Sequence, residues 1–443
     1  MAGHGCRQQR AVSHIAVQRH SHSGLGNILQ SEAVRGALPQ HQNNPQKPPL
    51  GLYAEQISGT AFTVPRSQNK WAWFYRRQPS VQHGPVRYTL YKRDGESDNP
   101  PLVFPIQLRW SPIPIPDEGV DFVDGLRAVA RSGTGATACI YTVNKSMSTE
   151  RRFYTDTDSE LLLVPQGGRL LIRTEFGELH VGRLEICVIP RGVKFQVDLI
   201  DATARGYALE NHGTQLQLPE LGVIGASSGL AAARHFIAPL AQYDETINEP
   251  CTLITRFQGA TYIGEARTSP FDVVAWFGSL WPYKYDLRSF TCINSVTHDH
   301  PDPSIYTVLT SPSPQTGVAN IDFVIFPPRW VVAENTFRPP WFHRNYMSEF
   351  MGLLQGSYDA KEEGFAPGGC SIHNSFSAHG PDVNVWRKAS EEDTKIPKRY
   401  EETMAFMWEA NRVWQPTLWA MNLEQLQQDY AETAWSGFPA ADL

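Results

Sequence analysis

Histidines are concentrated in the second half of this 443-residue chain, and their spacing suggests a metal site. Five of the 14 histidines lie between His298 and His379. In one run, Glu349 follows His343 at an even spacing. Side chains on a β-strand point alternately to its two faces, so an even spacing places both on the same face. The sequence therefore predicts that one strand presents His343 and Glu349 together.

A second run repeats this spacing with His373 and His379, after the turn Ala366-Pro-Gly-Gly-Cys370. A neighbouring strand can thus supply a third ligand. Two imidazoles and one carboxylate form a facial triad, which leaves positions at Fe(II) open for substrate and dioxygen. Spacing alone also allows Mn, Zn or no metal, and it does not choose between His373 and His379.

The elements that must position these residues are predicted to be mainly β. The 34 glycines and 33 prolines favour short strands and turns over long helices. Residues 161–164 and 169–176 are apolar runs that flank a Gly-rich turn, which predicts a β-hairpin. Further short runs to residue 199 are typical of a jelly-roll or cupin-like barrel. Because these strands contain only His180, we interpret this half as scaffold, and His180 and His212 as surface or structural histidines.

Helices are expected to be few and short. Asn422 and Gln425 resemble a capping box, and Gly437 can end a helix, so the sequence predicts one packing helix between residues 422 and 437.

Residues 23–50 are rich in Gly, Pro, Gln and Asn, which predicts an extended arm lying on other protein surface. Residues 1–22 are basic and are interpreted as a disordered tail, with a cleaved transit peptide as the alternative.

Composition argues against two classes of partner. A net charge of −6, with 39 basic residues spread along the chain, provides no electrostatic footprint for nucleic acid. The longest apolar stretch, residues 271–283, falls short of the roughly 20 residues that a membrane span needs, so no membrane partner is expected. Six scattered cysteines without a C-x-x-C pair are typical of reduced thiols and predict a cytoplasmic location.

Seven longer motifs lie between residues 52 and 345. They are Leu52-Tyr-Ala-Glu-Gln56, Thr174-Glu-Phe-Gly177, Glu185-Ile-Cys-Val-Ile189, Asp302-Pro-Ser-Ile-Tyr-Thr-Val-Leu309, Phe323-Val-Ile-Phe-Pro-Pro-Arg-Trp330, Phe337-Arg-Pro-Pro340 and His343-Arg-Asn345. These motifs and their order resemble those of homogentisate 1,2-dioxygenases, and the resemblance extends from about residue 23 to near the end of the chain. The family implies an N-terminal β-rich domain, here expected at residues 23–288, and a C-terminal metal-binding cupin-like domain at residues 289–443. It also implies a homohexamer built from two trimers.

The same resemblance implies an activity and a ligand set. Members of the family use Fe(II) and O₂ to cleave the aromatic ring of homogentisate to 4-maleylacetoacetate, a step in tyrosine and phenylalanine catabolism. The implied iron ligands are His343, Glu349 and His379, of which His379 is also expected beside the substrate.

Three further residues match family positions with a role. His300 matches the general base, and Tyr358 matches a tyrosine that contacts the substrate. His373 matches a pocket histidine that does not bind the iron but supports the residues that do. His298 is an additional histidine beside the proposed base.

One departure and three rival functions bear on these expectations. Trp341-Phe342 stands where many relatives have two tyrosines, which removes hydroxyls from the expected pocket. The rivals are a gentisate-type dioxygenase, an inactive protein that keeps the cupin scaffold, and a metal-dependent sugar isomerase. Arg344 is the only basic residue that the sequence places near the triad, which disfavours the isomerase.

Overall fold

The computed structural model describes residues 24–25, 28–65, 68–83, 103, 105–220, 230–245, 248–293, 303–361 and 363–443. The predicted tail, residues 1–22, lies outside these ranges. Within them the protein is mainly β, with four short α-helices, so the predicted fold class is confirmed. No helix in the described part of the chain is long and apolar enough to cross a membrane.

Residues 24–286, which we call the first half of the chain, contribute 18 strands and one α-helix among the described residues. They are β1 Gly24–Leu25, β2 Ile28–Leu29, β3 Tyr53–Ser58, β4 Trp71–Arg76, β5 Leu108–Trp110, α1 Phe122–Gly125, β6 Leu126–Ser132, β7 Ala136–Val143, β8 Arg152–Asp156, β9 Glu160–Gly167, β10 Leu170–Thr174, β11 Gly177–Val181, β12 Glu185–Ile189, β13 Lys194–Leu199, β14 Ala204–Asn211, β15 Phe236–Ile237, β16 Cys251–Phe257, β17 Ala260–Ala266 and β18 Tyr283–Asp286.

Residues 303–443, which we call the second half, add nine strands and three α-helices in the same described ranges. They are β19 Thr307–Pro312, β20 Ala319–Phe326, β21 Arg329–Val331, β22 Phe342–Asn345, β23 Ser348–Gln355, β24 Cys370–His373, α2 Val383–Glu391, β25 Lys398–Tyr400, β26 Met404–Ala410, β27 Trp414–Pro416, α3 Leu418–Met421 and α4 Tyr430–Thr433. Asp382 begins α2, because its carboxylate accepts hydrogen bonds from the backbone N–H groups of Asn384 and Val385.

Three large sheets form the body of the molecule. An eight-stranded sheet has the order β15-β18-β12-β9-β14-β7-β6-β27. One face of it packs against a six-stranded sheet, β11-β10-β13-β8-β16-β17, through a core that includes Leu161, Leu163 and Phe195. Its other face packs against the sheet β19-β20-β26-β23-β24-β5, through a core that includes Leu162 and Val164. Strand β9 is therefore buried on both faces, which explains its continuous apolar run.

The predicted hairpin between residues 161–164 and 169–176 is wrong. Strand β9 pairs with β12 and β14, whereas β10 pairs with β11 and β13 in the opposing sheet. The intervening turn carries the chain from one sheet to the other instead of reversing it. Gly168, at φ +78°, occupies this corner, where a Cβ would lie 2.2 Å from the carbonyl oxygen of Thr203.

Strands are exchanged between the two halves of the chain. β5 pairs with β24 at the edge of the second-half sheet, and β27 pairs with β6 at the edge of the eight-stranded sheet. β22 pairs in parallel with β3, and β3 pairs with β4, which makes a small three-stranded sheet from both halves. These pairings fix the second half firmly against the first. The expected division into residues 23–288 and 289–443 stays a prediction.

The single C-terminal helix predicted over residues 422–437 is wrong. The structure has two one-turn helices, α3 and α4, with a stretch of turns between them. In that stretch, Leu426 forms a β-bridge with Trp110, and the backbone N–H of Gln427 donates to the carbonyl oxygen of Arg109. Pairing with β5 thus uses backbone groups that a helix would have used internally.

The described part of the N-terminal arm lies along the second half of the same chain. The backbone N–H of Phe337 donates to the carbonyl oxygen of Asn44 at 3.1 Å. The Gln46 amide donates to the carbonyl oxygens of Ala389 and Glu392, at 2.9 and 2.6 Å, at the end of α2. These bonds hold an arm that has little regular structure of its own.

Candidate metal centre and cavity

The structure brings together the three residues implied as iron ligands. One ligand atom from each of His343, Glu349 and His379 lies within 4.8 Å of the other two. The Nε2 atoms of His343 and His379 lie 3.6 and 3.0 Å from the Glu349 carboxylate. Among the described residues, no other group of three His, Cys, Asp or Glu side chains has this geometry.

The prediction that one strand presents both His343 and Glu349 is wrong. His343 lies on β22 and Glu349 on β23, and these strands belong to different sheets. The change of sheet occurs at Tyr346, whose backbone N–H still bonds to Ser58 on β3. His343 and Glu349 therefore come together for a reason unrelated to strand alternation, and their role as metal ligands stays a prediction.

His379 lies beyond the end of β24 and not on the strand that the sequence predicts. It follows β24 as a single bridge partner of His343, with reciprocal backbone hydrogen bonds of 2.9 and 3.1 Å. His373 does lie on β24, directly opposite Glu349 on β23. The two imidazoles of the triad are thus held side by side by their own backbones, with ring centroids 4.0 Å apart.

Both triad histidines are oriented by backbone carbonyl groups. Nδ1 of His343 lies 2.6 Å from the carbonyl oxygen of Trp341, and Nδ1 of His379 lies 2.9 Å from that of Ser377. A carbonyl can only accept, so Nδ1 carries the proton and Nε2 presents a lone pair to the centre of the triad. This tautomer is the one that a metal requires of a histidine ligand.

The Glu349 carboxylate is buried and surrounded by donors. Asn345 donates an amide N–H to Oε1 at 2.6 Å, and Nδ1 of His373 lies 3.4 Å from Oε2. Burial raises the pKa of Glu349, but His379, His343 and His373 outweigh it and hold the pKa well below its usual value. The carboxylate is therefore ionised, as a ligand must be.

The imidazoles of His343 and His373 favour the neutral form. Burial, followed by the neighbouring His379, lowers the pKa of His343 and lowers that of His373 to about 3. In the triad, Glu349 and His379 are buried and His343 is partly buried. Two imidazoles and one carboxylate form a donor set that fits a divalent cation, and without a cation the carboxylate charge would stand in the interior. The residues present fit the implied metal.

A cavity opens onto the triad, and eight Phe, Tyr and Trp side chains contribute to its walls. Its walls come from both halves of the chain, since Arg109 precedes His343 by more than 200 positions. Besides the triad, they include Phe62, Arg109, Tyr306, Phe326, Arg329, Trp341, Tyr358, Lys361, Phe365, Tyr430 and Trp435.

The expectation that Arg344 is the only basic residue near the triad is wrong. Arg109, Arg329 and Lys361 line the cavity, whereas Nε of Arg344 lies 3.5 Å from the buried carboxylate of Glu55. Sequence reasoning missed the three because they come from separate elements. Only the pairing of β5 with β24, which places Arg109 opposite Ser371, brings the most distant of them to the site.

The three cations differ in their availability to a ligand. Arg329 is held in a buried ion pair with Asp359. Arg109 lies over the ring of Tyr430, with Cζ 4.1 Å from the ring centroid. Nζ of Lys361 donates to the carbonyl oxygen of Gly380 at 3.1 Å, and burial lowers the pKa of Lys361 to about 7. Arg109 also donates to the side-chain oxygen of Gln427. Among the described residues, no carboxylate forms an ion pair with Lys361 or Arg109.

Tyr358 and Trp341 are lining residues of the cavity, and Phe342 is not one of them. Tyr358 lines the cavity, and burial followed by the charge of Asp359 raises its pKa well above the usual value, so its hydroxyl stays a donor. Trp341 also lines the cavity and packs against Trp73, with ring centroids 5.3 Å apart. Phe342 packs instead between Tyr53 and Phe438. The departure from the family pattern therefore alters the cavity through Trp341.

The predicted base, His300, and the neighbouring His298 lie outside the described residues. The nearest described residue that follows them, Pro303, lines the cavity. In the first half, His180 is exposed, and Nε2 of His212 lies 3.1 Å from the Thr137 hydroxyl. These placements agree with the surface and structural roles expected for His180 and His212.

A mainly β protein with two histidines and one glutamate gathered beside a cavity belongs to the class of candidate facial-triad metalloproteins. Comparison with known families then gives its membership. Residues 20–287 match the family described as "Homogentisate 1,2-dioxygenase N-terminal", and residues 288–441 match "Homogentisate 1,2-dioxygenase C-terminal". The chain belongs to the homogentisate 1,2-dioxygenase family.

Individual relatives agree over nearly the whole chain. A Pseudomonas syringae pv. tomato protein named homogentisate 1,2-dioxygenase is 54% identical over 422 residues, which cover 94% of this chain and 95% of that protein. A Pseudomonas putida protein of the same name is 53% identical, covering 95% of this chain and 96% of that protein. The resemblance inferred from the motifs is confirmed.

Solved structures show weaker likenesses. A cupin-2 domain protein from Shewanella frigidimarina is 16% identical over 19% of this chain and 78% of its own, with a TM-score of 0.17. Protein Ylba from E. coli is 10% identical over 71% of this chain and 96% of its own, with a TM-score of 0.31.

Proposed function

We propose that this chain is a homogentisate 1,2-dioxygenase, which uses Fe(II) and O₂ to open the ring of homogentisate to 4-maleylacetoacetate. The observation that carries the proposal is the triad of His343, Glu349 and His379, which faces a cavity with aromatic walls in a member of this family. The names of the relatives point to homogentisate as the substrate. The family resemblance points to Fe(II), which is one of the metals that this set of nitrogen and oxygen ligands suits.

The triad would hold the metal through Nε2 of each histidine and one or both oxygens of Glu349. When bound, Fe(II) provides adjacent open positions for the dihydroxy ring and O₂ and passes electrons between them. The protein's own contribution is to hold the substrate against that face of the site, which replaces a slow encounter with a reaction between neighbouring groups.

The cavity offers a distinct contact for each part of homogentisate. Aromatic walls such as Phe326 and Phe365 can enclose the ring. Lys361 and Arg109 provide positive charge for the acetate group, and the Tyr358 hydroxyl provides a donor for a ring oxygen or the acetate. His379 borders the substrate because it lines the same cavity.

Ring opening requires a proton acceptor and consumes one O₂. The resemblance assigns the acceptor to His300, which would take a phenol proton and make the ring more electron-rich. The bond between the carbon that bears the acetate group and its hydroxylated neighbour then breaks. Both atoms of O₂ enter the product, and no external reductant is needed.

The runner-up is a gentisate-type dioxygenase, because the same triad chemistry serves a ring that bears a carboxylate directly. Comparing kcat/KM for homogentisate and gentisate with the Fe(II)-loaded protein separates the two. The proposal predicts a clear preference for homogentisate and the absorbance of its ring-opened product. Turnover of gentisate with little or no turnover of homogentisate would contradict it.

Two further proposals concern the setting of the enzyme. We propose a homohexamer of two trimers, as the family implies, with Fe(II), homogentisate and O₂ as the other partners. We also propose a cytoplasmic location, since the five cysteines in the described residues, Cys139, Cys187, Cys251, Cys292 and Cys370, are all free thiols.

A further inference from the structure

A tyrosine near the C-terminus is joined to the triad through His373. Tyr430 begins α4 and is buried, and its hydroxyl oxygen lies 3.1 Å from Nε2 of His373. On the other side of the same imidazole, Nδ1 lies 3.4 Å from Oε2 of Glu349. The three side chains form a hydrogen-bonded row that ends at a proposed metal ligand.

The protonation states of these groups determine which one donates in each hydrogen bond of the row. An ionised carboxylate can only accept, so Nδ1 of His373 must carry a proton and donate it to Glu349. His373 also stacks on His379, with ring centroids 4.4 Å apart, where a cation at the triad would repel an imidazolium. A neutral imidazole has one N–H, so Nε2 is a bare acceptor. The Tyr430 hydroxyl is the group that donates to it.

The position of Tyr430 is itself closely constrained. The Arg109 guanidinium lies over one face of its ring at 4.1 Å, and the Trp435 ring lies 5.4 Å away. Arg109 is on β5, which pairs with β24, the strand that carries His373. The strand pairing that brings Arg109 to the cavity therefore also holds Tyr430 against the imidazole.

We infer that Tyr430 is a positioning residue, which acts through His373 to set the orientation of the Glu349 carboxylate at the metal. The inference rests on the proposed function for the presence of a metal. It assigns to the C-terminal segment a part in building the metal centre. Groups that orient metal ligands in this way commonly change metal affinity ten- to a hundred-fold when they are removed.

The test is Tyr430→Phe, which keeps the ring, its packing and its contact with Arg109 but removes the hydroxyl. We expect Fe(II) affinity, measured by competition with a chelator, to fall by about ten-fold. Tyr53→Phe is the matched control, because Tyr53 belongs to the same buried cluster but donates to the carbonyl oxygen of Pro439. The control should leave Fe(II) affinity unchanged.

A double-mutant cycle separates this role from a direct one. If Tyr430 acts through His373, adding Tyr430→Phe to His373→Ala should produce no further loss of Fe(II) affinity. Unchanged affinity in Tyr430→Phe, or equal losses with and without His373, would overturn the inference. So would a raised KM for homogentisate at unchanged Fe(II) affinity, because Tyr430 also lines the cavity.

Failure of the proposed function gives a different result. Wild-type protein that binds no Fe(II) would overturn both the function and the inference. Wild-type protein that binds Fe(II) with the same affinity as Tyr430→Phe would overturn the inference alone.

Discussion

Glu349 receives hydrogen bonds or close contacts from four nitrogen-bearing side chains. They are Asn345, His343, His373 and His379, at distances between 2.6 and 3.6 Å. The N–H groups of Asn345 and His373 favour an ionised carboxylate over a neutral group of the same shape. The lone pairs on Nε2 of His343 and His379 face the same carboxylate, an arrangement that a bound cation would stabilise. The charge of Glu349 is therefore the property on which metal binding should depend most.

Glu349→Gln tests that dependence. The amide would turn an N–H toward Asn345 or a histidine, and the site would lose its negative charge, so we expect Fe(II) affinity to fall by at least about 100-fold. The metal content of protein loaded anaerobically and passed through a desalting column measures the effect. Glu160→Gln is the matched control, because Glu160 is also buried but bonds to Leu216 and Asn211 in the first half. Full iron retention in Glu349→Gln would remove Glu349 from the ligand set.

Replacing Lys361 by an apolar residue should weaken substrate binding but stabilise the folded protein. Lys361→Met removes a cation from the cavity, and we expect KM for homogentisate to rise roughly ten-fold if this cation receives the acetate group. Replacing a buried charge by an apolar side chain should stabilise the metal-free protein, by about 1 kcal/mol or more. The carbonyl oxygen of Gly380 keeps a partner in this variant, since Trp435 also donates to it.

The stability difference should also depend on pH. The pKa of Lys361 falls from 10.5 to about 7 in the folded state, so between these values the unfolded chain binds a proton that the folded chain lacks. Wild-type stability therefore gains from rising pH across this window, and the advantage of Lys361→Met is largest near pH 7 and shrinks toward pH 10. Urea unfolding of both proteins across this range measures it. An advantage that grows with pH would contradict the buried, titrating lysine.

The residue scale is where the sequence was most informative. Residue types and family motifs together identified the triad, Tyr358 and His373, and the structure brings these side chains to one cavity. Nothing in the spacing pointed to Lys361, Arg109 or Tyr430. Their proximity to the triad depends on the pairing of β5 with β24 and on the β-bridge between Trp110 and Leu426 before α4, which are tertiary features.

At the scale of the element, strand existence could be predicted but strand partners could not. Alternation and apolar runs show which residues are buried, yet they contain no information on whether a turn reverses the chain or carries it to another sheet. The corner after β9 and the change of sheet between His343 and Glu349 were both missed for this reason. The predicted C-terminal helix failed because a β-bridge to Trp110 outweighed local capping signals.

Gly168 tests the importance of that corner. Gly168→Ala would combine a left-handed backbone with a Cβ only 2.2 Å from the carbonyl oxygen of Thr203, so we expect the free energy of unfolding to fall by roughly 3 kcal/mol. Gly192→Ala is the control, because Gly192 has φ +83° with nothing within 4 Å of a Cβ. It should lose only about 1 kcal/mol. Equal losses in urea unfolding would show that the close approach at Gly168 does not matter.

At the scale of the whole molecule, exposed apolar side chains are concentrated in one segment of the sequence. Large apolar side chains that are at least half exposed concentrate in residues 237–281, which we name the outer apolar segment. Strand β17, at the edge of its sheet, is exposed over most of its length. Such surfaces usually contact another protein. The exposed residues are Ile237, Leu240, Tyr243, Phe257, Tyr262, Ile263, Val274 and Phe277.

In the proposed hexamer, the outer apolar segment would contact a second copy of this chain. We expect wild-type protein to have six times the 49.7 kDa mass of one chain in sedimentation velocity. Ile263→Arg combined with Leu240→Arg should yield smaller species, because both side chains are largely exposed in the single chain. Ile396→Arg, at an exposed apolar residue outside the segment, is the control. An intact hexamer in the double variant would exclude the outer apolar segment from the interfaces.

The central claim is that the triad holds an iron that cleaves homogentisate. The most direct test is to load the protein anaerobically with Fe(II), add homogentisate and then air, and record oxygen uptake together with the absorbance of the ring-opened product. The account predicts one O₂ consumed for each homogentisate opened, and neither signal from Glu349→Gln. Iron-loaded protein that consumes no oxygen, or that consumes oxygen without forming the ring-opened product, would contradict it.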